Sequence, residues 1–361
     1  MLEVADIVRL HGDAYRRQFG SQLTSVQKKA LRDIQNCRTP ALGGHVYQCD
    51  HCDKERYSYH SCRNRSCPKC HRDQTERWIA QQRERLLPCS YYLITFTLPA
   101  PLRALARSHP RIVYGLLMKA AARALQKLAG DPRFLGARVG ALAVLHTWTR
   151  AMLYHPHVHM LVTAGGLSVR GQCWVEPKNP KFLVPVRALS VIFRAKMRAA
   201  LHKAGLLQDP TSDVWTKPWV VHCQHAGSGE KVLHYLGRYV FRIALTNNRL
   251  EGIHDDGRVT FRYRDNRSQR LQHCTISGVE FLQRFLQHVL PRGCTKVRYY
   301  GIFSPRFHTH LNAARPLARR HDQPVAESPV SLSSSTPPRR CPKCHIGTLL
   351  IVHTLPRTRS P

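Results

Sequence analysis

The chain has 361 residues, 56 of them Lys or Arg against 22 Asp or Glu, for a formal charge of +34. Such a field attracts polyphosphate with an affinity that falls as salt rises, so a nucleic-acid partner is expected, although charge alone does not separate a generic binder from an enzyme. With 43% hydrophobic residues there is apolar surface for about two or three domains. The acids in Met1-Leu-Glu-Val-Ala-Asp and the lack of any run of about 18 apolar residues argue against a signal peptide and a membrane-spanning helix, so a soluble, intracellular protein is expected.

Residues 1 to 36 read as helices, because Val4, Ile7 and Val8, then Val26, Ala30, Leu31 and Ile34, recur at helical intervals, with Thr24 or Ser25 as a cap. Cysteines then crowd between positions 37 and 70, which in a reducing compartment points to metal rather than disulfides. Cys49-x2-Cys52 and Cys67-x2-Cys70 lie fourteen residues apart, close to the spacing of a zinc ribbon, and these four are expected to hold one structural zinc. Cys37 with His45 and His60 with Cys62 interleave with the two knuckles and offer a cross-braced second zinc; the plainer reading makes His45 and His60 surface residues. His51 and His71 stand beside the knuckles as substitutes. A zinc closed by four ligands has no open position for catalysis, so the segment reads as structural, with Arg63, Arg65, Lys69 and Arg72 offered to DNA phosphates.

Asp73 to Leu87 reads as a helix ended by Pro88. Alternation in Tyr92, Ile94, Phe96 and Leu98 then gives a strand, and a helix follows around Arg111 to Ala129. Ala141 to Thr149 and Val158 to Thr163 read as strands, the second closed by Gly165-Gly166. Residues 188 to 204 look helical, Trp219 to Cys223 extended, and Lys231 to Val240 helical on the stripe Val232, Leu233, Leu236 and Val240. Ile243 to Leu250 and Val259 to Tyr263 bracket Asp255-Asp256-Gly257 as a hairpin. Ser277 to Glu280 is a capping box that opens a helix stopped by Pro291. From about Ala313 to Arg340 the composition is that of a linker. Cys341-x2-Cys344 beyond it is half a knuckle to be completed by His345, His353 or another subunit, or else a disordered tail with two reduced thiols. The intermixed elements read as α+β, an antiparallel sheet with helices on one face.

The chemistry concentrates in two places. In His155-Pro-His157-Val-His159 the imidazoles share one face of a strand while Val158, Met160 and Val162 bury on the other, which is how rigid backbone builds a metal site. Tyr235 and Tyr239 are i, i+4 neighbours on one helix flank. Alone, the first is most often a pair of half-exposed histidines and the second a packed amphipathic flank; together they suggest a phenol attacking a phosphodiester polarised by a cation. His155 faces the same side as the pair, but a third ligand is expected from another element, where His222, Gln224, Glu230 and His234 stay open; His146 is as readily a hydrogen-bonded core histidine. Arg238 and Arg242 share the tyrosine side of the helix and could hold phosphate, against the duller reading of a solvated basic face. Arg262 and Arg264, alternating with Phe261 and Tyr263, could offer a basic strand face to DNA. Gly237 weakens its helix and would let DNA approach closely.

The chain resembles the rolling-circle insertion-sequence transposases of the two-tyrosine HUH family. The motifs that carry this are the GGHVYQCDHCDKERYSYHSCRNRSCPKC segment, YHPHVHMLVTAGG and HYLGRYVFRIALTNNRL, in family order across most of residues 30 to 304. One departure is Ser66, where family members often have His. The resemblance implies that His157 and His159 are metal ligands for Mg2+ or Mn2+, that Tyr235 and Tyr239 are nucleophiles, and that the core is ferredoxin-like with the histidine strand central. It implies a helical and zinc-binding domain over 1–88, a catalytic domain over 89–312, and a linker and tail over 313–361. The expected partner is single-stranded or hairpin DNA at transposon ends and target, in the bacterial cytoplasm at the nucleoid, with no nucleotide cofactor. Two other classes fit the same residues: a zinc-dependent DNA-binding regulator without catalysis, and an HUH replication initiator or relaxase.

Overall fold

Residues 2–70, 72–179, 182–207, 209–240, 244–265, 268–318 and 339–358 are described by the structure, a computed structural model. In chain order the elements are α1 (Val4–Phe19), α2 (Ser25–Gln35), β1 (Gly44–Cys49), β2 (Glu55–Tyr59), α3 (Arg72–Arg85), β3 (Tyr91–Thr97), α4 (Arg103–Ser108) and α5 (Pro110–Ala129). There follow β4 (Ala137–Trp148), β5 (Tyr154–Ser168), β6 (Trp174–Val175), α6 (Val186–Lys203), β7 (Val221–Gly227) and α7 (Glu230–Val240). The last are β8 (Leu250–Ile253), β9 (Arg258–Arg264), β10 (Leu271–Ser277), α8 (Gly278–Leu286), β11 (Val297–Gly301), α9 (His308–Leu317) and β12 (Leu349–Leu355).

The main sheet runs β11-β4-β5-β3-β7 with β6 paired to β5, and every neighbouring pair is antiparallel. β5, the histidine strand, is therefore central. Its even-numbered Val158, Met160 and Val162 are fully buried in a core with Phe96 of β3, Leu117 of α5 and Phe193 of α6. By strand alternation His157, His159 and Leu161 face the other way. There Leu142 and Val144 of β4 and Leu161 pack with Leu233 and Leu236 of α7 and Ile79 of α3. Helices thus cover both faces, where helices on one face were expected; the apolar stripe of α7 needs a sheet face of its own to leave water. β5 also runs on through Gly165-Gly166 to Ser168, past the stop read from the sequence.

The N-terminal helices make no core of their own. Val4, Ile7, Leu31 and Ile34 pack with Phe261 of β9 and with Phe281 and Phe285 of α8, and Cys37, Cys67 and Cys70 lie in the same cluster. Thr24 caps α2 as read, accepting from the Gln27 N–H at 3.3 Å, and the Gln27 amide donates to the Leu286 carbonyl at 3.0 Å. Ser277 likewise accepts from the Glu280 N–H at the start of α8, at 3.1 Å. The hairpin around Asp255-Asp256-Gly257 joins β8 to β9, but its first strand starts only at Leu250 because Asn247–Arg249 forms a helical turn. The tail is corrected in part: β12 pairs antiparallel with β1 in a sheet ordered β12-β1-β2, and residues 319–338 of the expected linker lie outside the described residues.

Candidate active site and metal centres

Three imidazoles meet on the α7 face of the sheet. His146 of β4 stands in register with His157 of β5, and Val144 with His159, so the strand pairing brings the three rings together. Ring centroids lie 4.8 Å apart for His157 and His159, 4.5 Å for His146 and His159, and 5.2 Å for His146 and His157. The His157 Nδ1 donates to the His155 carbonyl at 2.6 Å, and the His159 Nδ1 sits 3.0 Å from the Thr95 hydroxyl. Such partners hold both rings with their Nε2 atoms turned inward, each able to accept when the proton sits on Nδ1. The two Nε2 atoms approach to 3.1 Å. That separation fits two ligands on one cation at metal–nitrogen distances of about 2.1 Å.

Electrostatics favour the same state. Burial, followed by the charge of the neighbouring imidazoles, pushes His146 and His157 well below the ordinary histidine range, and burial takes His159 down to about 4. All three are neutral at pH 7, the form that binds metal. His146 offers the pair a third ring nitrogen, the ligand atoms of all three lying within 4.8 Å of one another, and His222, Gln224, Glu230 and His234 are not in this group. His222 and Gln224 are exposed on β7, while Arg83 of α3 bonds the His234 Nε2 and pairs with Glu230, each at 3.1 Å. His155 takes a 2.7 Å contact at its Nδ1 from Arg103, and is pushed down by burial.

α7 carries Tyr235 to this cluster. Its ring is half-buried and stands edge-on to His159, centroids 5.9 Å apart. Tyr239 follows one turn later in α7; its side chain, that of Arg238, and Arg242 lie outside the described residues. Gly237 is buried, and a methyl there would meet the Ile79 Cγ1 at 2.7 Å. Its lack of a side chain serves the close approach of α7 to α3, which corrects the expectation that it admits DNA.

The cysteines group differently from the expected ribbon. Cys49, Cys52, Cys67 and Cys70 do not converge: Cys67 and Cys70 lie with Cys37 and Cys62, whereas Cys49 and Cys52 lie with Cys341 and Cys344. In the first group the Cys37 and Cys62 Sγ atoms stand 3.3 and 3.5 Å from that of Cys70. His45, on β1, and His60, just past the end of β2, belong to neither; their rings meet each other edge-on at 5.0 Å. Spacing along the chain could not reveal this, since the partners of Cys49 are almost three hundred residues away.

Of the basic residues, Arg63 is exposed, and so are Arg262 and Arg264 on the outer face of β9, where Phe261 points inward. Arg65 is exposed as well, but its guanidinium donates to the carbonyls of Leu290, Pro291 and Cys294 at 2.6, 2.7 and 3.0 Å. Two site neighbours had no sequence signal. Trp148 stacks on His146 at 5.3 Å, and the half-buried Lys296 lies 4.9 Å over the Trp148 ring, its pKa lowered by desolvation to about 7.

Known proteins share these parts. A family model described as "Putative transposase" matches residues 140–310, and one described as "Transposase zinc-binding domain" matches residues 7–98. The "Putative transposase y4qJ" of Sinorhizobium fredii is 39% identical over 394 aligned positions, covering 99% of this chain and 97% of that protein. The transposase for insertion sequence element IS801 of Pseudomonas savastanoi pv. phaseolicola is 28% identical over 309 positions, 79% of this chain and 72% of its own length. No solved structure matches.

Proposed function

The chain belongs to the insertion-sequence transposases of the IS91 and IS801 type, and on that premise we propose that it nicks and rejoins single-stranded transposon ends, with Tyr235 and Tyr239 as nucleophiles. The observation that carries this reading is the Tyr235 ring edge-on to His159 beside three neutral, converging imidazoles. A phenol beside a cation site can do what neither does alone: attack phosphorus and keep the phosphate.

The phenol oxygen, losing its proton, bonds to phosphorus, and the bond from phosphorus to the upstream 3′ oxygen breaks. That oxygen takes up a proton and leaves as a 3′-hydroxyl, while the downstream strand stays attached as a 5′-phosphotyrosine. Joining is the reverse step with a new 3′-hydroxyl, so the bond energy is conserved and no nucleotide cofactor is required. His146, His157 and His159 would hold Mg2+ or Mn2+, which supplies charge neutralisation at a non-bridging phosphate oxygen. Thr95 and the His155 carbonyl keep the imidazoles aimed, and the contact of Gly237 with Ile79 sets the height of Tyr235 above the sheet. Two tyrosines one turn apart allow a second strand transfer before the first intermediate is released. Single-stranded or hairpin ends would run over basic surface such as Arg262 and Arg264.

The test uses a single strand spanning the cleavage site and labelled at its 3′ end. Wild-type protein with Mn2+ should form a labelled adduct that survives boiling in detergent, EDTA should prevent it, and Tyr235→Phe with Tyr239→Phe should abolish it. An adduct in that double variant, or cleavage that persists in EDTA, would overturn the reading.

A further inference from the structure

We infer that Cys49, Cys52, Cys341 and Cys344 bind a tetrathiolate zinc, second to one held by Cys37, Cys62, Cys67 and Cys70, that ties the C-terminal segment into the N-terminal module. The four Sγ atoms lie within 4.8 Å of one another. Across the two knuckles, Cys49 to Cys344 and Cys52 to Cys341 both measure 3.7 Å. A disulfide would need about 2.05 Å. A zinc with four sulfurs at about 2.3 Å forms a tetrahedron whose edge is about 3.8 Å, which is the separation seen.

The backbone around these thiols is built for the same purpose. The Lys343 N–H points at the Cys341 Sγ and the Gly347 N–H at the Cys344 Sγ, each at 3.4 Å, so the segment turns around its two sulfurs as a knuckle does. Thr348 and Asp50 lock the two knuckles together: the Thr348 N–H donates to the Asp50 carboxylate at 2.8 Å, and the Asp50 N–H to the Thr348 carbonyl at 3.2 Å. β12 then continues along β1 from Leu349 opposite Cys49 to Leu355 opposite Gly44. Gly347 is obligatory at the junction, because a methyl there would stand 2.5 Å from the Cys49 Sγ and 2.6 Å from the Asp50 Oδ1. The clip closes a loop of 289 residues between Cys52 and Cys341. It also adds exposed Arg339, Arg340 and Lys343 to the zinc module, so the segment is half of a metal site rather than a dispensable tail.

Thiolate-held zinc is counted on the full-length protein as the metal released by a mercurial thiol reagent, after a metallochromic dye has taken up whatever is accessible without it. Two equivalents are expected per chain, falling to one in Cys341→Ser/Cys344→Ser. One is also expected in Gly347→Leu, which keeps every cysteine but blocks the approach. One equivalent in the unaltered chain, or two in either variant, overturns the inference. Because a variant can misfold, the unaltered protein loaded with cadmium-113 gives an independent reading: two resonances in the four-thiolate range are expected, and a single one overturns the second site.

Discussion

Gly237→Ala tests how α7 is held over the sheet, and hence how Tyr235 is positioned. Two effects oppose each other. Alanine is the better helix former by about 1 kcal/mol. The added methyl, however, would stand 2.7 Å from the Ile79 Cγ1 and 2.8 Å from its Cδ1, and overpacking of this kind costs about 1–3 kcal/mol. The clash is with atoms of a side chain only 7% exposed, so the cost should win and the variant should lose about 1 kcal/mol net. Ile79→Ala alone should cost about 2 kcal/mol or more through the void it leaves. In the double variant the new methyl enters that void, so the losses should fall short of additive by at least about 1 kcal/mol. Urea unfolding of the four proteins gives the cycle, and adduct formation should fall in Gly237→Ala and recover in part in the double variant. Full additivity, or a Gly237→Ala protein stabilised by the whole helix-forming gain, would refute the close α3–α7 contact.

Other predictions follow from the same contacts. In metal-free protein His146, His157, His159 and His288 all have folded pKa values below their unfolded value near 6.5, with His159 and His288 at about 4. The unfolded state therefore binds more protons: stability is complete above about pH 6.5 and is lost as pH falls toward about 4, each group contributing a slope of about 1.4 kcal/mol per pH unit. His159→Gln should flatten the profile by about one such proton, and an unchanged slope would count against the burial of that imidazole. Arg65→Ala should cost about 1–2 kcal/mol of stability by stripping three carbonyls of their donor, yet weaken DNA binding no more than Arg63→Ala, as read by anisotropy across a salt series. Cys67→Ser should loosen α8 as well as the cysteine loop, because Cys67 shares its cluster with Phe281 and Phe285; hydrogen exchange confined to residues 37–70 would contradict that shared core.

The sequence spoke clearly where local periodicity set the answer and poorly where distant segments met. Val158, Met160 and Val162 alternating with His157 and His159 were enough to assign both faces of β5, and the stripe of α7 was legible from Val232 to Val240. β10 carries no strand signal, because most of its residues are exposed and leave no apolar alternation. His146 looked like any core histidine, since its meaning arises only from the β4–β5 register that sets it opposite His157. The cysteine groups misled for a related reason: equal CxxC spacing suggested that neighbouring knuckles pair, while the fold gives one knuckle to Cys37 and Cys62 and the other to the far end of the chain. Arg65 read as a phosphate contact, for nothing local announces that the carbonyls after α8 need a donor.

The most direct measurement is to find the residue that carries the DNA. Trypsin cuts after Lys231, Arg238 and Arg242, so Tyr235 falls in the peptide 232–238 and Tyr239 in the peptide 239–242. Mass spectrometry of the nuclease-trimmed adduct should find a nucleotide joined through its 5′ phosphate to one or both of these peptides, and none when His157 is replaced by alanine. A nucleotide on any other peptide, or one joined through its 3′ phosphate, would contradict the account.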